Sequence, residues 1–268
     1  MVNFETINYE SDGALAWLTL NRPDKLNAIN SAMVAELNAA LDQAEQDDEV
    51  RVILLKGEGR AFSAGFDLEM DSDANDTEAL RRELKADFDI IMRFWDCHKP
   101  TIAAVHGYCL GSGMEMALAC DVTLAATGCR FGAPEVKFGS GIVALILPWL
   151  CGPKRAKELL LTGNDRVNSE QAEAWGLVNH VVPAEELIEN ARKMANEIAR
   201  NDPVAVRLTK QAINTTYEIP RMREALEHAL ELDVVVESTE TEESRQFNKI
   251  LENEGAKAAI AWLDRPFG

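Results

Sequence analysis

Short apolar runs that alternate with helical stretches are the strongest constraint on what this chain can fold into. Val50–Lys56, Thr101–Val105 and Asp121–Ala126 are largely apolar, carry β-branched residues, and read as buried strands. Upstream, residues 4–9 and 14–20 read as a hairpin turning at Ser11-Asp12-Gly13, ended by Asn21-Arg22-Pro23-Asp24. Residues 31–46 have helical spacing with Ser31 as the N-cap, and a second helix is expected from about Glu78 to Cys97. Between Gly57-Glu58-Gly59, which ends the first buried strand, and that helix, the polar and acidic stretch 71–77 reads as a mobile loop. One more strand is expected near Leu177–Val182. Pro183, Pro203 and Pro220 each mark a helix start beyond it. From Arg221 to Glu237 the apolar residues Met222, Leu226, Ala229, Leu230 and Val234 share one side. The expectation is an α/β core followed by a helical C-terminal portion, with no low-complexity segment and no strict internal repeat.

Length and charge narrow the function classes. The 268 residues suit one large domain, or one domain with a small appendage, and 47% of them are apolar, enough for a sizeable core. A formal charge of −18 repels nucleic acid and anionic membranes, so neither is expected as a partner. An anionic small ligand stays possible, because a pocket sets its own local field. The five cysteines lack a CxxC pair and lie mostly in apolar runs, which reads as buried thiols in a reducing compartment. Four scattered histidines offer no metal-ligand spacing, so no metal is expected. With no basic-then-apolar leader and no run near the roughly 18 apolar residues a membrane span needs, the expected location is the cytoplasm.

Two glutamates carry the chemical signal. Gly111-Ser112-Gly113 follows a buried strand and opens a helix, so its free backbone amides can face a developing negative charge. Glu115 sits a turn further in and interrupts the apolar run Met114–Cys120, where a carboxylate is costly unless paired or functional. Glu135, in Phe131-Gly132-Ala133-Pro134-Glu135, supplies a second acid. The segment Gly59–Leu68 has small residues at 63–65 that let a second backbone amide approach the same oxygen. Other readings compete: Glu115 as a structural ion pair with an Arg or Lys, and Glu135 as a charge favouring a helix N-terminus. Ser112 is a poor nucleophile candidate, since its surroundings are not Gly-x-Ser-x-Gly. The glycines also lack the Rossmann spacing.

In order along nearly the whole chain, these segments resemble the enoyl-CoA hydratase/isomerase family, also called the crotonase superfamily. The resemblance runs through Leu20–Ala28, Ala61–Leu68, Lys99–Gly107 and Cys120-Asp121. It continues through Leu160-Leu161-Thr162-Gly163, Ala174–Asn179 and the terminal Asp264-Arg265-Pro266-Phe267. It implies a crotonase-type α/β spiral of ββα repeats holding an acyl-CoA site, over residues 1–200, and a helical trimerisation region over 201–268. It implies a homotrimer or homohexamer. By position, the oxyanion-hole donors are the amides of Phe66 and Ser112, and Glu115 and Glu135 match the two hydratase glutamates. Serine replaces the usual glycine at 112, which leaves its N–H available. The adenine end of CoA is expected against Lys25, Leu26 and Ala28, with Ala64, Asp67 and Leu68 nearby. No cofactor is implied, since CoA belongs to the substrate. The reaction implied is hydration of a 2-enoyl-CoA, with thioester hydrolysis, double-bond isomerisation or non-catalytic CoA binding as alternatives. One departure stands out: after Glu135 the chain reads Val136–Trp149, without the family's Pro-Gly-x-Gly-Gly, and places bulky Ile142, Leu145 and Trp149 there.

Overall fold

A computed structural model of the chain describes residues 4–68 and 76–263. Its strands, in chain order, are β1 (Ile7–Asp12), β2 (Leu15–Leu20), β3 (Val52–Gly57), β4 (Thr101–Val105), β5 (Tyr108–Leu110), β6 (Val122–Ala126), β7 (Arg130–Gly132), β8 (Val167–Asn168) and β9 (His180–Val182). One sheet has the order β1-β2-β3-β4-β6-β9 and the other β5-β7-β8. In the larger sheet only the β1–β2 hairpin is antiparallel; β3, β4, β6 and β9 add in parallel.

The two sheets are built together, one turn of chain at a time. After β3 the chain reaches Ser63, after β4 it enters β5, and after β6 it enters β7. Ser63 bridges Cys109 of β5 in parallel, and Cys109 pairs with Phe131 of β7. Each of these turns therefore gives one strand to the large sheet and a bridge or short strand beside the smaller one, and the turns stack as a spiral. The corner after β4 is tight. Gly107 has φ +61° there, and a Cβ on it would lie 2.0 Å from the Arg60 carbonyl oxygen. Only glycine fits such a place without a shift of backbone.

Alternation along the central strands explains why both faces of the large sheet are dry. Ile53, Leu55, Ala103, Val105 and Ala125 point into the main core with α1 (Ser31–Gln46), α2 (Thr77–Asp96) and α3 (Ser112–Ala119). Their neighbours Val52, Leu54, Ile102, Ala104, Leu124 and Ala126 point the other way. That face is covered by Leu187, Ala191, Ala195 and Ala199 on one side of α6 (Leu187–Ala199). This is why the strands read as continuous apolar runs. The helices α4 (Leu147–Thr162) and α5 (Ser169–Ala174) precede β9. The C-terminal helices are α7 (Pro203–Glu218), α8 (Met222–Glu237), α9 (Glu242–Glu254) and α10 (Ala256–Leu263), as the sequence implies.

Some boundaries differ from the sequence reading. The first strand starts at Ile7 and runs through Asp12, so the hairpin turns at Gly13 with φ +59°. Asn30, not Ser31, is the N-cap of α1: Asn30 is extended and its side chain accepts from the Met33 amide, whereas Ser31 is already helical. The strand expected from Leu177 begins at His180, because the Leu177 amide is used in closing the end of α5 on the Ala172 carbonyl. Strands β5, β7 and β8 are too short to show a period. On α8, Met222, Leu226, Leu230 and Val234 are buried as expected, Ala229 only partly, and Asp233 joins the buried side. Of the acidic stretch 71–77, positions 71–75 lie outside the described residues, as does the terminal Asp264–Phe267 motif. Asp76 caps α2, accepting from the Glu78 and Ala79 amides.

Gly13 and Gly107, both at positive φ, separate strain from crowding. At Gly13 an added Cβ would meet nothing within 4 Å. Gly13→Ala is expected to cost about 1 kcal/mol from the left-handed backbone alone. Gly107→Ala adds the clash with Arg60, and its urea midpoint should fall by the equivalent of about 3–4 kcal/mol.

Candidate active site

The site forms where the first two turns of the spiral touch. The Ser63 amide donates to the Tyr108 carbonyl and the Leu110 amide to the Ser63 carbonyl, laying residues 63–66 along β5. Glycines permit the contact: a Cβ on Gly65 would lie 3.4 Å from the Ser112 nitrogen, and one on Gly113 would lie 2.7 Å from the Ser63 Cβ. Phe66 pairs with Ile29 in a parallel bridge held by Ile29 N–H to the Gly65 carbonyl and Asp67 N–H to the Ile29 carbonyl. That bridge leaves the Phe66 N–H unused. Ser112 is the first residue of α3, so its N–H lies outside the helical ladder. Among the described residues neither amide has an acceptor, and the Gly65 contact puts the two segments side by side.

Both glutamates reach this place. Every residue of α3 is buried, and Glu115 is 3% exposed. Its Oε1 accepts from the Ala144 amide at 3.2 Å, while Oε2 is buried without a partner. No cation pairs with it among the described residues, so the ion-pair reading falls. Glu135 opens a 3₁₀ turn, Glu135–Phe138, rather than an α-helix, so the helix-terminus reading has little to act on. The residue as a whole is partly buried, and its carboxyl turns inward: Oε2 is buried and unpartnered, and Oε1 would lie 2.1 Å from a Cβ on Gly111. Gly111 has φ +52° and ψ −131°, a backbone conformation open to glycine. The same glycine thus admits the Glu135 carboxyl and turns the chain so that the Ser112 amide follows directly.

Burial sets the charge state. It pushes the Glu135 carboxyl up to about 8, with the neighbouring Asp233 and Glu237 adding to the effect and the residue's own amide opposing it. Glu115 is raised well above the usual range, first by burial and then by Glu135; the Ala144 amide and the Ser112 hydroxyl work the other way. The Glu135 carboxyl therefore holds its proton at neutral pH, while Glu115, with two donors favouring its charged form, is the one placed to lose its proton.

The residues expected around CoA also gather. Lys25 ends a 3₁₀ turn (Pro23–Lys25), and Leu26 and Asn27 follow with φ +52° and +54°, unusual for residues with side chains. Asn27 is fully buried and holds this shape, donating to the Glu58 and Ala61 carbonyls at 2.9 and 2.8 Å and accepting from the Arg22 amide. The Ala64 amide donates to the Leu26 carbonyl at 3.0 Å. Arg22 joins the rest, bonding the Ala28 carbonyl and pairing with Asp67 at 2.9 Å. Leu68 is partly buried at the edge of the described residues. Sequence reasoning quoted Arg22 and Asn27 inside a motif but gave them no role. It also overlooked Asp233, although an acid between Leu230 and Val234 breaks the apolar side of α8 and is a legible signal.

Other features are quiet. Cys97, Cys109, Cys120 and Cys129 are buried free thiols and Cys151 is partly buried. Burial pushes Cys97 and Cys129 up to about 12. Among the described residues no group of three His, Cys, Asp or Glu could hold a metal, and no helix is long and apolar enough to cross a membrane.

The spiral α/β core thus carries two unused amides beside two buried acids. The model of the enoyl-CoA hydratase/isomerase family matches residues 10–258, and the chain belongs to that family. It is 38% identical over 221 residues to a probable mitochondrial enoyl-CoA hydratase of Dictyostelium discoideum, covering 81% of this chain and 78% of that protein. It is 39% identical over 211 residues to the short-chain-enoyl-CoA hydratase of Clostridium acetobutylicum, covering 76% and 79%. A crystal structure of an enoyl-CoA hydratase/isomerase from Xanthobacter autotrophicus Py2 superposes with a TM-score of 0.95 at 45% identity, covering 98% of both chains.

A buried acid whose folded pKa lies above its unfolded value binds more protons in the folded state, so stability falls as pH rises between the two. For Glu135 that window runs from the ordinary 4.5 to about 8. Glu135→Gln removes the cost. Its melting temperature should exceed that of the wild type by about 2–4 °C at pH 8, with the gain vanishing near pH 5. Melting curves at the two pH values check this.

Proposed function

We propose that this protein is an enoyl-CoA hydratase that adds water across the 2,3 double bond of an enoyl-CoA thioester. The observation that carries this is the meeting of two acceptor-free amides, Phe66 and Ser112, with two buried carboxyls, Glu115 and Glu135. In the proposed reaction the thioester oxygen lies between the two amides, which favour the negative charge that builds on it as water attacks the β-carbon. Glu115 takes a proton from the water as the new carbon–oxygen bond forms. Glu135 gives its proton to the α-carbon, and the charge returns from the oxygen. One proton leaves the water and one joins the carbon, so the acids end with their proton exchanged.

The division of roles follows from their surroundings. With a proton on Glu135, the repulsion on Glu115 is lifted, and the Ala144 amide and Ser112 hydroxyl favour the Glu115 carboxylate. Glu135 has only its own backbone amide acting in that direction, so it suits the acid. In the same reading Lys25, Leu26, Ala28, Ala64, Asp67 and Leu68 flank the CoA moiety, and no separate cofactor is needed. The cytoplasm is the proposed location. Charge and partner follow the same reading, with an acyl-CoA as ligand and neither nucleic acid nor membrane.

A trimeric or hexameric assembly completes the proposal. No residue of α7 is buried, yet the helix carries Val204, Leu208 and Ile213, each about half exposed, and Ile219 beyond its end is 77% exposed. Leu208, Ala212 and Ile213 line a shallow apolar groove with Ala205, Thr209 and Thr216. Such a stripe suits contact with another copy of the chain.

Crotonyl-CoA turnover tests the reaction. Loss of enoyl absorbance without thiol release is expected, and Glu115→Gln and Glu135→Gln should each lower kcat by about 10²–10⁴-fold. Ser112→Ala keeps the amide and should stay within about threefold of wild type, whereas Ser112→Pro, tolerated at a first helical position, should lose about 10²–10³-fold. Thiol release would identify a thioesterase instead, and a moved double bond an isomerase. Light scattering is expected to give a trimer or hexamer for the wild type, with Leu208→Glu and Ile213→Glu together reducing the mass to that of one chain.

A further inference from the structure

Asp233 has no part in the scheme above, yet it stands beside it. It is 3% exposed on α8, and both of its carboxyl oxygens are buried without a hydrogen-bond partner. Native interiors rarely leave such a group unsatisfied. The Gly141 amide leans toward it without making a hydrogen bond to either oxygen. The fit against Gly141 is close, since a Cβ there would lie 1.9 Å from Asp233 Oδ1. Glycine at 141 is what admits this carboxyl.

Its surroundings are all acidic. Glu135, Glu115 and Asp87 each feel the Asp233 charge, and Glu237 acts on Asp233 in turn. Glu237 has a donor, the Ser140 hydroxyl; Asp233 has none. Among the described residues no Lys, Arg or His offsets the charge of these five groups.

The position is telling. Asp233 lies against the segment that follows Glu135, the same 139–144 stretch whose Ala144 amide holds Glu115. An alkyl chain packed here would leave both Asp233 oxygens without a donor, at a cost. A hydroxyl group would supply the missing donor.

We propose that Asp233 is the acyl-specificity residue of this site, its carboxyl accepting a hydrogen bond from a hydroxyl on the acyl chain, so that the preferred thioesters are hydroxylated acyl-CoAs. The inference rests on the acyl-CoA reading of the site, but not on the hydration step. A pocket built to bond a substrate hydroxyl discriminates strongly against the analogue without it.

Calorimetric binding of saturated thioesters separates the two questions, because it needs no turnover. The probes are butanoyl-, pentanoyl- and hexanoyl-CoA and their terminally hydroxylated counterparts, titrated into the wild type, Asp233→Asn and Asp233→Ala. At least one hydroxylated member should bind the wild type about tenfold tighter than its plain counterpart. Asp233→Asn, which keeps an acceptor oxygen in the same shape, should retain most of that preference, and Asp233→Ala should bring the ratio near one. Thermal melts confirm that each variant is folded. Equal binding of every pair by the wild type overturns the proposal, as does a preference that survives in Asp233→Ala. Tighter binding of an amino-terminated acyl-CoA than of the hydroxylated one would assign the site to a cation and overturn the hydroxyl. Wild-type crotonyl-CoA turnover, measured alongside, reports on hydration by itself. A lost hydroxyl preference with intact hydration, or the reverse, tells which idea fails.

Discussion

Everything at this site depends on one close backbone contact, between residues 63–66 and 110–113. The Ser63–Cys109 bridge and the glycines at 65, 111 and 113 let two turns of the spiral approach until side-chain atoms would collide. From that approach the rest follows. The Phe66 and Ser112 amides become neighbours, Gly111 leaves room for Glu135, and α3 starts where its first amides face the same space. A larger residue at any of the three glycines would push apart the groups that the chemistry needs together.

Electrostatics then adds a cost that the fold has to bear. Glu115, Glu135, Asp233, Glu237 and Asp87 all have their carboxyl pKa raised by burial and by acidic neighbours. Among the described residues no cation relieves them. A fold selected for stability alone would not collect acids in one dry region; a site that moves protons near neutral pH has reason to. The large apolar core on both faces of the sheet is what offsets it, with α6 covering one side and α1, α2 and α3 the other.

Much of this was legible in the chain, for identifiable reasons. Thr101–Val105 and α2 stood out because buried strands and long helices leave strong local patterns. Glu115 stood out because an acid in an apolar helix is expensive. The boundaries that slipped, Asn30 in place of Ser31 and His180 in place of Leu177, turn on single hydrogen bonds between neighbouring candidates. Strands β5, β7 and β8 went unseen because two or three residues carry no period. Asp233 shares the buried side of α8 with Leu226, Leu230 and Val234, and the apolar majority there sets the helical pattern whether or not one position is an acid.

What the sequence determined by itself was the alternation of strands and helices, the dry central strands, the glycine-rich turns and the two glutamates, because each is set by local composition and spacing. The tertiary structure alone decided which groups meet. Glu115 and Glu135 are twenty positions apart, Phe66 and Ser112 further still, and Asp233 lies near the far end. Their distances depend on how the spiral stacks and how α8 packs over residues 139–144. Spacing along a chain fixes the face a residue occupies; only packing fixes which other face it will touch.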